Sequence, residues 1–330
     1  MEWIREADAN MDKNGVPFSQ EDAFRVIQKI EGLTVSQNVP LSEMTRFQVG
    51  GPADLLVWAD NRENLTELVQ LVRREGWPLT ILGGCSNVLV ADAGIRGVTC
   101  VLSSDMMCIR RDGQELTAFA GTRLDDLAAY AAKHGLSGLE FSCGIPGSIG
   151  GAVVMNAGAF GGTVEQVVIR TKYIDSAGQP RMLEGGDHRF GYRQSFFLEQ
   201  RDAVITEVSL RLESLDRLSI YEQMAEYAWN RYQKQPLAES SAGSAFRRPE
   251  GNYAGALISE VGMKGYTRGR AGVSDLHAGF IINHGGASAS EIAQVFLDVR
   301  KAVFQKTGIR LIPEVRFIGT WEEDDIQSLI

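Results

Sequence analysis

The sequence predicts an α+β protein of two or three domains, and three observations carry this prediction. The chain has 330 residues, of which 44% are hydrophobic, so it can form more than one sizeable core. Short apolar runs of strand length are interspersed with segments whose apolar residues recur at helical spacing. Residues 142–162 are rich in glycine and other small residues, so the backbone there can approach a ligand closely.

Residues 1–40 are predicted to be an N-terminal helical extension. A polar stretch precedes the segment SQEDAFRVIQKI, in which Ser19 can cap a short helix and Asp22 supports its first turn. We expect this extension to pack against the domain that follows it.

Residues 41–213 are predicted to form one domain of two α+β subdomains. In the first, DLLVWA predicts a strand, Asp60 and Glu63 form a capping-box pattern, and the helix that follows ends at Gly76. The strand PLTIL then leads into a glycine loop, residues 83–87, and a second apolar run, VLVAD, follows that loop. This order predicts a small β-α-β unit.

The second subdomain is predicted to be richer in strands. The segments GVTCVL, MMCIRR and ELTAFAG are separated by turn residues, and a helix is expected from Thr122 and Asp125 to Gly135. After the glycine-rich stretch, strands are expected within TVEQVVIRTKYID, RMLEG and DAVITEVSLRLE.

Residues 214–330 are predicted to form a smaller α+β domain with helices on one face of a sheet. Helices are expected over LSIYEQMAEYAWNRYQK and NYAGALISEVG, and Ser288 with Glu291 predicts a capped third helix. Strands are expected at AGFIINHGG and IRLIPEVRFIG. The acidic tail WEEDDIQSLI is expected to face solvent.

Composition excludes several classes of protein. The net charge of −9 argues against a nucleic-acid or membrane-surface binder, because such proteins depend on positive charge. The start MEWIREADAN is acidic where a signal peptide is basic, and no apolar run reaches the length of a membrane span. Four cysteines without a CxxC pair predict reduced thiols, and the histidine spacing predicts no metal site. We therefore expect a cytoplasmic protein.

The two glycine-rich segments predict a cradle for a phosphate group. Glycine adopts the positive φ angles that turn backbone N–H groups toward an anion. Neither segment is a GxGxxG that opens a helix of a βαβ unit or a GxxxxGK[ST] loop, so the two standard nucleotide fingerprints are absent. The alternative is a tight loop between buried strands, which also uses glycine in its turns.

Six motifs follow one another in order through roughly residues 36–319. They are TRFQVGGPADLL, GGCSNVLVADAGIRGV, GLEFSCGIPGSIGGAVVMNAGAFGG, GYRQSFF, AGSAFRRP and LIPEVRFIG. Together they resemble the UDP-N-acetylenolpyruvoylglucosamine reductase family, also called UDP-N-acetylmuramate dehydrogenases. The resemblance implies a two-subdomain FAD-binding fold of the vanillyl-alcohol-oxidase class, followed by a small α+β substrate domain.

By this resemblance, non-covalently bound FAD is expected to contact both glycine-rich segments. The expected cofactor-binding residues are Gly83, Gly84, Cys85, Ser86, Asn87, Gly144, Ile145, Pro146, Gly147, Ser148, Gly150, Gly151 and Gly158. Cys143 is expected to remain a small buried thiol without a covalent bond to the flavin.

Reduction of an enolpyruvyl ether needs a hydride, a proton and a group that stabilises charge on the carboxylate. An arginine suits the carboxylate because its guanidinium donates two parallel hydrogen bonds. The resemblance assigns this role to Arg193 in GYRQSFF. The alternative is a surface arginine that lies over Phe196 or Phe197.

The resemblance assigns the proton donor to Ser244 and the catalytic glutamate to Glu314. Composition alone does not distinguish Ser244 from Ser240 or Ser241, any of which suits a turn or a helix cap. Burial of Glu314 in an apolar strand would raise the pKa of its carboxyl and let it act as a neutral donor. A solvent-facing glutamate on an edge strand is the alternative.

The nucleotide end of the substrate needs local positive charge on this acidic chain. Tyr192 is expected to line the substrate site, and the basic candidates are Arg231, Lys234, Arg247 and Arg248. Lys234 resembles the family's pyrophosphate-contacting lysine, Arg231 can share that role, and Arg248 stands where some members carry asparagine. Arg193 and Ser244 are 51 positions apart (244 − 193), which resembles the shorter subtype without a tyrosine-bearing insertion.

The resemblance implies NADPH-driven reduction of UDP-N-acetylglucosamine enolpyruvate to UDP-N-acetylmuramate in bacterial peptidoglycan synthesis. Its partners would be this UDP-sugar and NADPH, with no nucleic acid and no membrane insertion. Two alternatives stay open: a flavin oxidase of the vanillyl-alcohol-oxidase class, and a flavin- or nucleotide-binding protein without catalysis. The sequence gives no oligomeric state.

Overall fold

The computed structural model describes residues 18–103 and 109–321, together with Ile326 and Leu329. Cys108 and part of the predicted strand MMCIRR lie outside these residues. The helices are α1 (Gln20–Ile27), α2 (Arg62–Glu75), α3 (Leu124–Lys133), α4 (Ile149–Met155), α5 (Phe196–Glu199), α6 (Arg217–Lys234), α7 (Ala254–Glu260) and α8 (Ala289–Thr307).

The strands of the first half of the chain are β1 (Thr34–Pro40), β2 (Pro52–Ala59), β3 (Leu79–Leu82), β4 (Val88–Val90), β5 (Ile95–Leu102), β6 (Ile109–Asp112), β7 (Glu115–Phe119), β8 (Leu136–Ser137), β9 (Gly158–Ala159) and β10 (Gly162–Thr163). Those of the second half are β11 (Val168–Ile174), β12 (Pro180–Glu184), β13 (Val204–Arg211), β14 (Glu213–Ser214), β15 (Thr267–Arg268), β16 (Ala271–Val273), β17 (Ile281–Asn283) and β18 (Arg316–Ile318).

A four-stranded sheet organises the first subdomain, in the order β1-β2-β5-β3. Strands β2, β5 and β3 are parallel, as the predicted β-α-β unit requires, and β1 pairs with β2 in the antiparallel direction. Residues 34–40 were expected in a helical extension, but they form β1 of this sheet. The polar sequence TVSQNVP carries no apolar pattern, because most of its residues face solvent. The limits of the domains stay a prediction.

A five-stranded antiparallel sheet, β12-β11-β13-β7-β6, organises the second subdomain. One hydrophobic core extends across both subdomains and includes Leu55, Leu68, Leu116, Leu127 and Val208. The long apolar strand β13 is buried along almost its whole length. This shared core fixes the two subdomains against each other, and with them the two glycine-rich segments.

The C-terminal domain has its own core around Phe296 of α8 and a three-stranded sheet, β15-β16-β17. The chain then returns to the first subdomain, where β18 pairs in parallel with β4. Ile326 and Leu329 are buried in this core, so the expectation of a solvated tail is wrong for these two residues. The acidic residues around them in the sequence suggested an exposed tail, but these two apolar side chains pack into the core of the C-terminal domain.

Helix caps were predicted with mixed success. Ser19 accepts a hydrogen bond from Asp22 N, and Ser288 and Glu291 form the reciprocal capping box of α8, so both predictions are confirmed. The cap of α2 is Asn61, which accepts from Asn64 N, rather than the expected Asp60. Helix α3 begins after Arg123 without a side-chain cap, because the backbone at Thr122 and Arg123 pairs with residues 148 and 149.

Among the helices of the described part of the chain, none combines the length and apolar character that crossing a membrane requires.

Candidate active site

A cavity of about 480 Å³ lies between the turn at residues 191–194 and the C-terminal domain. The expected catalytic residues Arg193, Ser244 and Glu314 all line it, and so do Tyr192 and Arg248. The rest of the lining is Phe246, Tyr253, Ala254, Gly255, Ala256, Ser259, Lys264, Leu276, His277, Ala278 and Gly279. Folding therefore brings five of the predicted site residues together.

Tyr192 and Arg193 form the tip of a tight turn. Gly191 and Gln194 exchange two backbone hydrogen bonds, each of 3.1 Å, which closes the turn. Arg193 has a φ of +52°, a left-handed conformation that is uncommon for a residue with a side chain. Its guanidinium offsets this cost through bonds from Nε to Glu314 Oε1 at 2.5 Å and from Nη1 to Asn156 O at 3.4 Å. The arginine is thus held in one orientation toward the cavity.

Glu314 forms a largely buried ion pair with Arg193. The exposed fraction of the side chain is 18% for Arg193 and 11% for Glu314. Burial raises the pKa of the Glu314 carboxyl above its ordinary value, while the positive charges of Arg193 and Arg247 act in the opposite direction. Glu314 therefore holds a proton more readily than an exposed glutamate does.

The backbone of Glu314 is fixed by both neighbouring segments. Its N–H donates to Ala245 O at 2.9 Å, and its carbonyl accepts from Asn87 Nδ2 at 3.2 Å. Residues 309–319 were expected to be one strand, but β18 begins only at Arg316. Pro313 cannot donate a ladder hydrogen bond, and the adjacent backbone pairs instead with residues 245–247. This pairing brings the segment of Ser244 alongside Glu314.

Ser244 is exposed on the cavity wall. Its position is set by a bridge to Phe280 and by the bond from Ala245 N to Gly279 O at 2.8 Å. The neighbouring Ser241 accepts a local hydrogen bond from Gly243 N and is absent from the residues that line the cavity. The structure thus distinguishes Ser244 from the serines that composition left equivalent.

The two glycine-rich segments pack against each other at backbone contact. A Cβ on Gly84 would lie 2.6 Å from Gly147 Cα, and one on Gly83 would lie 2.2 Å from Ser148 Oγ. Ser86 Oγ donates to Pro146 O at 2.7 Å. These contacts hold the two loops together as one cradle, and no side chain larger than hydrogen fits at Gly83 or Gly84. Such a cradle suits a ligand that is bound chiefly by backbone groups, as expected for the diphosphate of FAD.

Other glycines of this region are explained by packing inside the protein. A Cβ on Gly150 would lie 2.9 Å from Ala120 O, and one on Gly158 would lie 2.7 Å from Gly162 O. The Gly144 N–H donates to Asp125 Oδ1 at 2.8 Å. Ser148 caps α4 by accepting from Gly151 N at 3.3 Å. The alternative of a tight structural loop therefore holds for part of the stretch, and contact of these residues with FAD stays a prediction.

Arg231 and Lys234 lie outside the lining of the cavity. Arg231 is buried, and its Nε and Nη2 donate to Cys143 O at 2.9 Å and to Phe141 O at 3.4 Å. Its guanidinium also lies 5.0 Å from the centre of the Phe160 ring. These contacts favour a structural role at the start of the glycine-rich stretch. Lys234 is the exposed last residue of α6, and its substrate contact stays a prediction.

Several residues of the site were not found from the sequence. Lys264 and His277 line the cavity, although the sequence offered only a charge and an isolated histidine. His277 Nδ1 accepts from Gly279 N at 2.9 Å, and burial lowers the pKa of the ring, so the neutral imidazole carries its proton on Nε2. Asn156, at the end of α4, contacts Arg193. The only feature of the sequence that pointed to Asn156 was its position within the glycine-rich stretch.

Two protein-family profiles match this chain. Residues 53–184 match the family described as FAD binding domain. Residues 235–318 match the family described as UDP-N-acetylenolpyruvoylglucosamine reductase, C-terminal domain. The first match covers the loop at residues 83–87 and the cradle formed with residues 144–151. It confirms FAD as the cofactor expected from the sequence, and the order of the matches confirms the predicted fold class.

Known relatives match over nearly the whole chain. The UDP-N-acetylenolpyruvoylglucosamine reductase of Pediococcus pentosaceus is 43% identical over 298 residues, which is 90% of this chain and 97% of the relative. That of Caldicellulosiruptor bescii is 38% identical over 91% of this chain and 95% of its own length. The crystal structure of the Thermus caldophilus reductase aligns with a TM-score of 0.73 at 33% identity, covering 86% of this chain and 99% of that one. The chain therefore belongs to the UDP-N-acetylenolpyruvoylglucosamine reductase family.

Proposed function

We propose that this chain catalyses the NADPH-driven, FAD-dependent reduction of UDP-N-acetylglucosamine enolpyruvate to UDP-N-acetylmuramate, a step of bacterial peptidoglycan synthesis. The observation that carries the proposal is the convergence of Arg193, Ser244 and Glu314 on one cavity. A hydrogen bond from Asn87 to Glu314 ties this cavity to the cradle, and a bond from Arg193 to Asn156 ties it to the end of α4.

Saturating the double bond requires a hydride at one carbon and a proton at the adjacent carbon. The chemistry that bound FAD supplies is hydride transfer, from NADPH and then to the methylene carbon of the enolpyruvyl group. The protein supplies the proton and stabilises the negative charge that spreads onto the substrate carboxylate between the two events. These two tasks fall to residues of the cavity.

Arg193 would bind the substrate carboxylate. A guanidinium carries five N–H donors, and the contacts with Glu314 and Asn156 engage Nε and Nη1. The other N–H groups, on Nη1 and Nη2, can therefore still bind a carboxylate in the cavity. The ion pair and the bond to the Asn156 carbonyl fix the plane of the group before substrate binds, so little reorganisation accompanies the appearance of charge.

Glu314 and Ser244 would complete the protonation. A protonated Glu314 can donate a hydrogen bond to the enolate-like charge, and its burial favours this protonated form. Ser244 lies on the wall beside it and would deliver its hydroxyl proton to the substrate carbon next to the carboxylate. Substrate in the cavity would exclude water from this serine, which is the condition under which a hydroxyl is an effective acid.

The nucleotide end of the substrate would lie along the basic wall of the C-terminal domain. Arg248 stacks on Tyr253, with its guanidinium 4.0 Å from the ring centre, and its backbone N–H donates to Tyr192 Oη at 3.0 Å. Lys264 adds a second positive charge to the lining. On a chain of net charge −9, these two side chains provide local attraction for a diphosphate.

Anaerobic reduction and reoxidation of the flavin test the proposal. The purified protein is reduced with one equivalent of NADPH, UDP-N-acetylglucosamine enolpyruvate is added, and flavin absorbance is followed. We expect prompt reoxidation with formation of UDP-N-acetylmuramate. A flavin that stays reduced until air enters would favour the oxidase, and a flavin that NADPH does not reduce would favour a binding protein. The cytoplasmic location and the absence of a nucleic-acid partner stay predictions from composition.

A further inference from the structure

Helix α4 connects the FAD cradle with the turn that carries Arg193. Its N-cap Ser148 lies in the cradle, where its Oγ occupies the space that a Cβ on Gly83 would need. The residue that caps the C-terminal end of the helix is Asn156, whose φ of +41° is a left-handed conformation. A short and rigid element therefore has the cofactor region at one end and the catalytic turn near the other.

The side chain of Asn156 is fixed at both of its polar atoms. Nδ2 donates to Gly191 O at 3.0 Å and to Glu165 Oε2 at 3.2 Å. Oδ1 accepts from Glu165 N at 3.1 Å. The residue is only 4% exposed, so water does not compete for these bonds. The bond to Gly191 O holds the first residue of the turn.

The backbone around Asn156 binds the rest of the same turn. Its carbonyl accepts from Arg193 Nη1, and Val154 O accepts from Ser195 Oγ at 2.7 Å. The residues before, within and after the Tyr192–Arg193 tip are thus attached to the last turn of α4. The left-handed φ of Arg193 increases the need for such support, because an unsupported turn would relax from it.

We propose that Asn156 is a positioning residue for Arg193, which sets the place of the guanidinium relative to α4 and hence to the FAD cradle. The inference deepens the proposed function and rests on it, since the position matters only if Arg193 binds the substrate carboxylate. Asn156 acts through its hydrogen bonds to the turn at residues 191–194, and it has no assigned contact with the substrate.

The principal test variant is Asn156→Gly, because glycine keeps the left-handed backbone and removes only the side chain. A misplacement of about 1 Å costs on the order of a hundredfold in rate, so we expect flavin reoxidation by the enolpyruvyl substrate to slow by about that factor. Reduction of the flavin by NADPH should stay within about twofold. The matched control is Asn38→Gly, an exposed asparagine with a φ of +53° on β1, which should leave both half-reactions unchanged.

Two further readouts separate positioning from a general structural role. Arg193 lowers the pKa of Glu314, so displacement of its guanidinium should move the pH at which reoxidation slows to a higher value. In a double-mutant cycle, Asn156→Gly should have little further effect once Arg193 is replaced by Ala, because the two residues act on the same step. Hydrogen exchange at the amides of Gly191 and Gln194 should accelerate while exchange in β13 stays unchanged.

The outcomes are distinct. Equal loss in both half-reactions, or additive effects in the cycle, would overturn the positioning role. If Asn156→Gly does not fold, Asn156→Asp keeps the acceptor for Glu165 N and loses the donor to Gly191 O, and the same criteria apply to it. If the wild-type flavin is not reoxidised by the substrate, the proposed function fails instead, whatever hydrogen exchange shows at the turn.

Discussion

The glycine cradle and the candidate active-site cavity are built in opposite ways. The cradle is made of two continuous stretches, residues 83–87 and 144–151, whose backbones touch because side chains are absent at Gly84 and Gly147. The cavity is made of side chains from distant segments, and its central ion pair joins residues 121 positions apart in the chain. One site is defined by shape and the other by charge and proton-bearing groups.

This difference predicts different sensitivities to substitution. An added methyl group at Gly84 should damage the cradle, because the atoms that it would meet are the backbone of Gly147 and cannot move aside. The cavity is open to solvent at Ser244 and Arg248, so it should tolerate a change in volume. It should respond strongly when a functional group is lost.

The largest expected effect is that of Ser244→Ala. Loss of a positioned acid typically costs about 10²–10⁴-fold, so reoxidation of the flavin by substrate should slow by this factor while reduction by NADPH is retained. Rapid-mixing absorbance separates the two rates. Ser241→Ala is the matched control in the same loop and should behave as wild type. Similar rates for the Ser244→Ala and wild-type proteins would remove Ser244 from the chemistry.

The next largest effect is expected for Arg193→Lys. Lysine keeps the charge but loses the planar group that binds Glu314 and the Asn156 carbonyl and that we propose to bind the substrate carboxylate. Removal of a preorganised donor costs about 10²–10³-fold, and we expect a loss of that order in substrate-dependent reoxidation. Arg189→Lys, at an exposed ion pair with Glu199 close to the same turn, serves as the control. Unchanged turnover in Arg193→Lys would show that charge alone suffices.

In the cradle, Gly84→Ala should weaken FAD binding without any change in charge. The added Cβ would lie 2.6 Å from Gly147 Cα, and overpacking of this kind costs about 1–3 kcal/mol, which corresponds to roughly a 5- to 150-fold rise in Kd for FAD. Equilibrium titration of the apoprotein with FAD measures it. Gly186→Ala, an exposed glycine with nothing within 4 Å of the added Cβ, is the control. If both variants bind FAD equally, the cradle is wider than these contacts imply.

The same contrast explains what the sequence could and could not predict. The cradle lies in continuous, glycine-rich stretches, so its position was visible as a local pattern. Arg193, Ser244 and Glu314 were identified only through motif resemblance, since nothing local indicates that a turn, a loop and the segment before β18 will meet. Lys264 and His277 lie outside the six motifs, and only the folding of the C-terminal domain places them in the lining.

Local fold predictions failed where tertiary pairing decided the outcome. Strand β1 is polar and largely exposed, so its sequence shows no strand pattern. It forms a strand because its backbone pairs with β2. Arg231 looked like a free cation for the substrate, but its guanidinium binds backbone carbonyls 88 and 90 positions earlier in the chain. Caps such as Ser19 and Ser288 were predicted correctly because a helix cap depends on residues three positions apart.

The smallest expected effect concerns the cost of placing Glu314 in the cavity. Burial raises the pKa of Glu314 in the folded protein. Such a carboxyl binds its proton more tightly in the folded than in the unfolded chain, so the free energy of unfolding falls as pH rises from the unfolded pKa through the folded pKa. The wild-type protein should therefore lose stability relative to Glu314→Gln as pH increases above about 4.5, by at most about 1.4 kcal/mol per pH unit. Denaturant unfolding of both proteins between pH 4.5 and 8 measures the difference. If the wild type instead gains stability relative to Glu314→Gln over this range, the ion pair with Arg193 outweighs burial, and the carboxylate enters the reaction ionised.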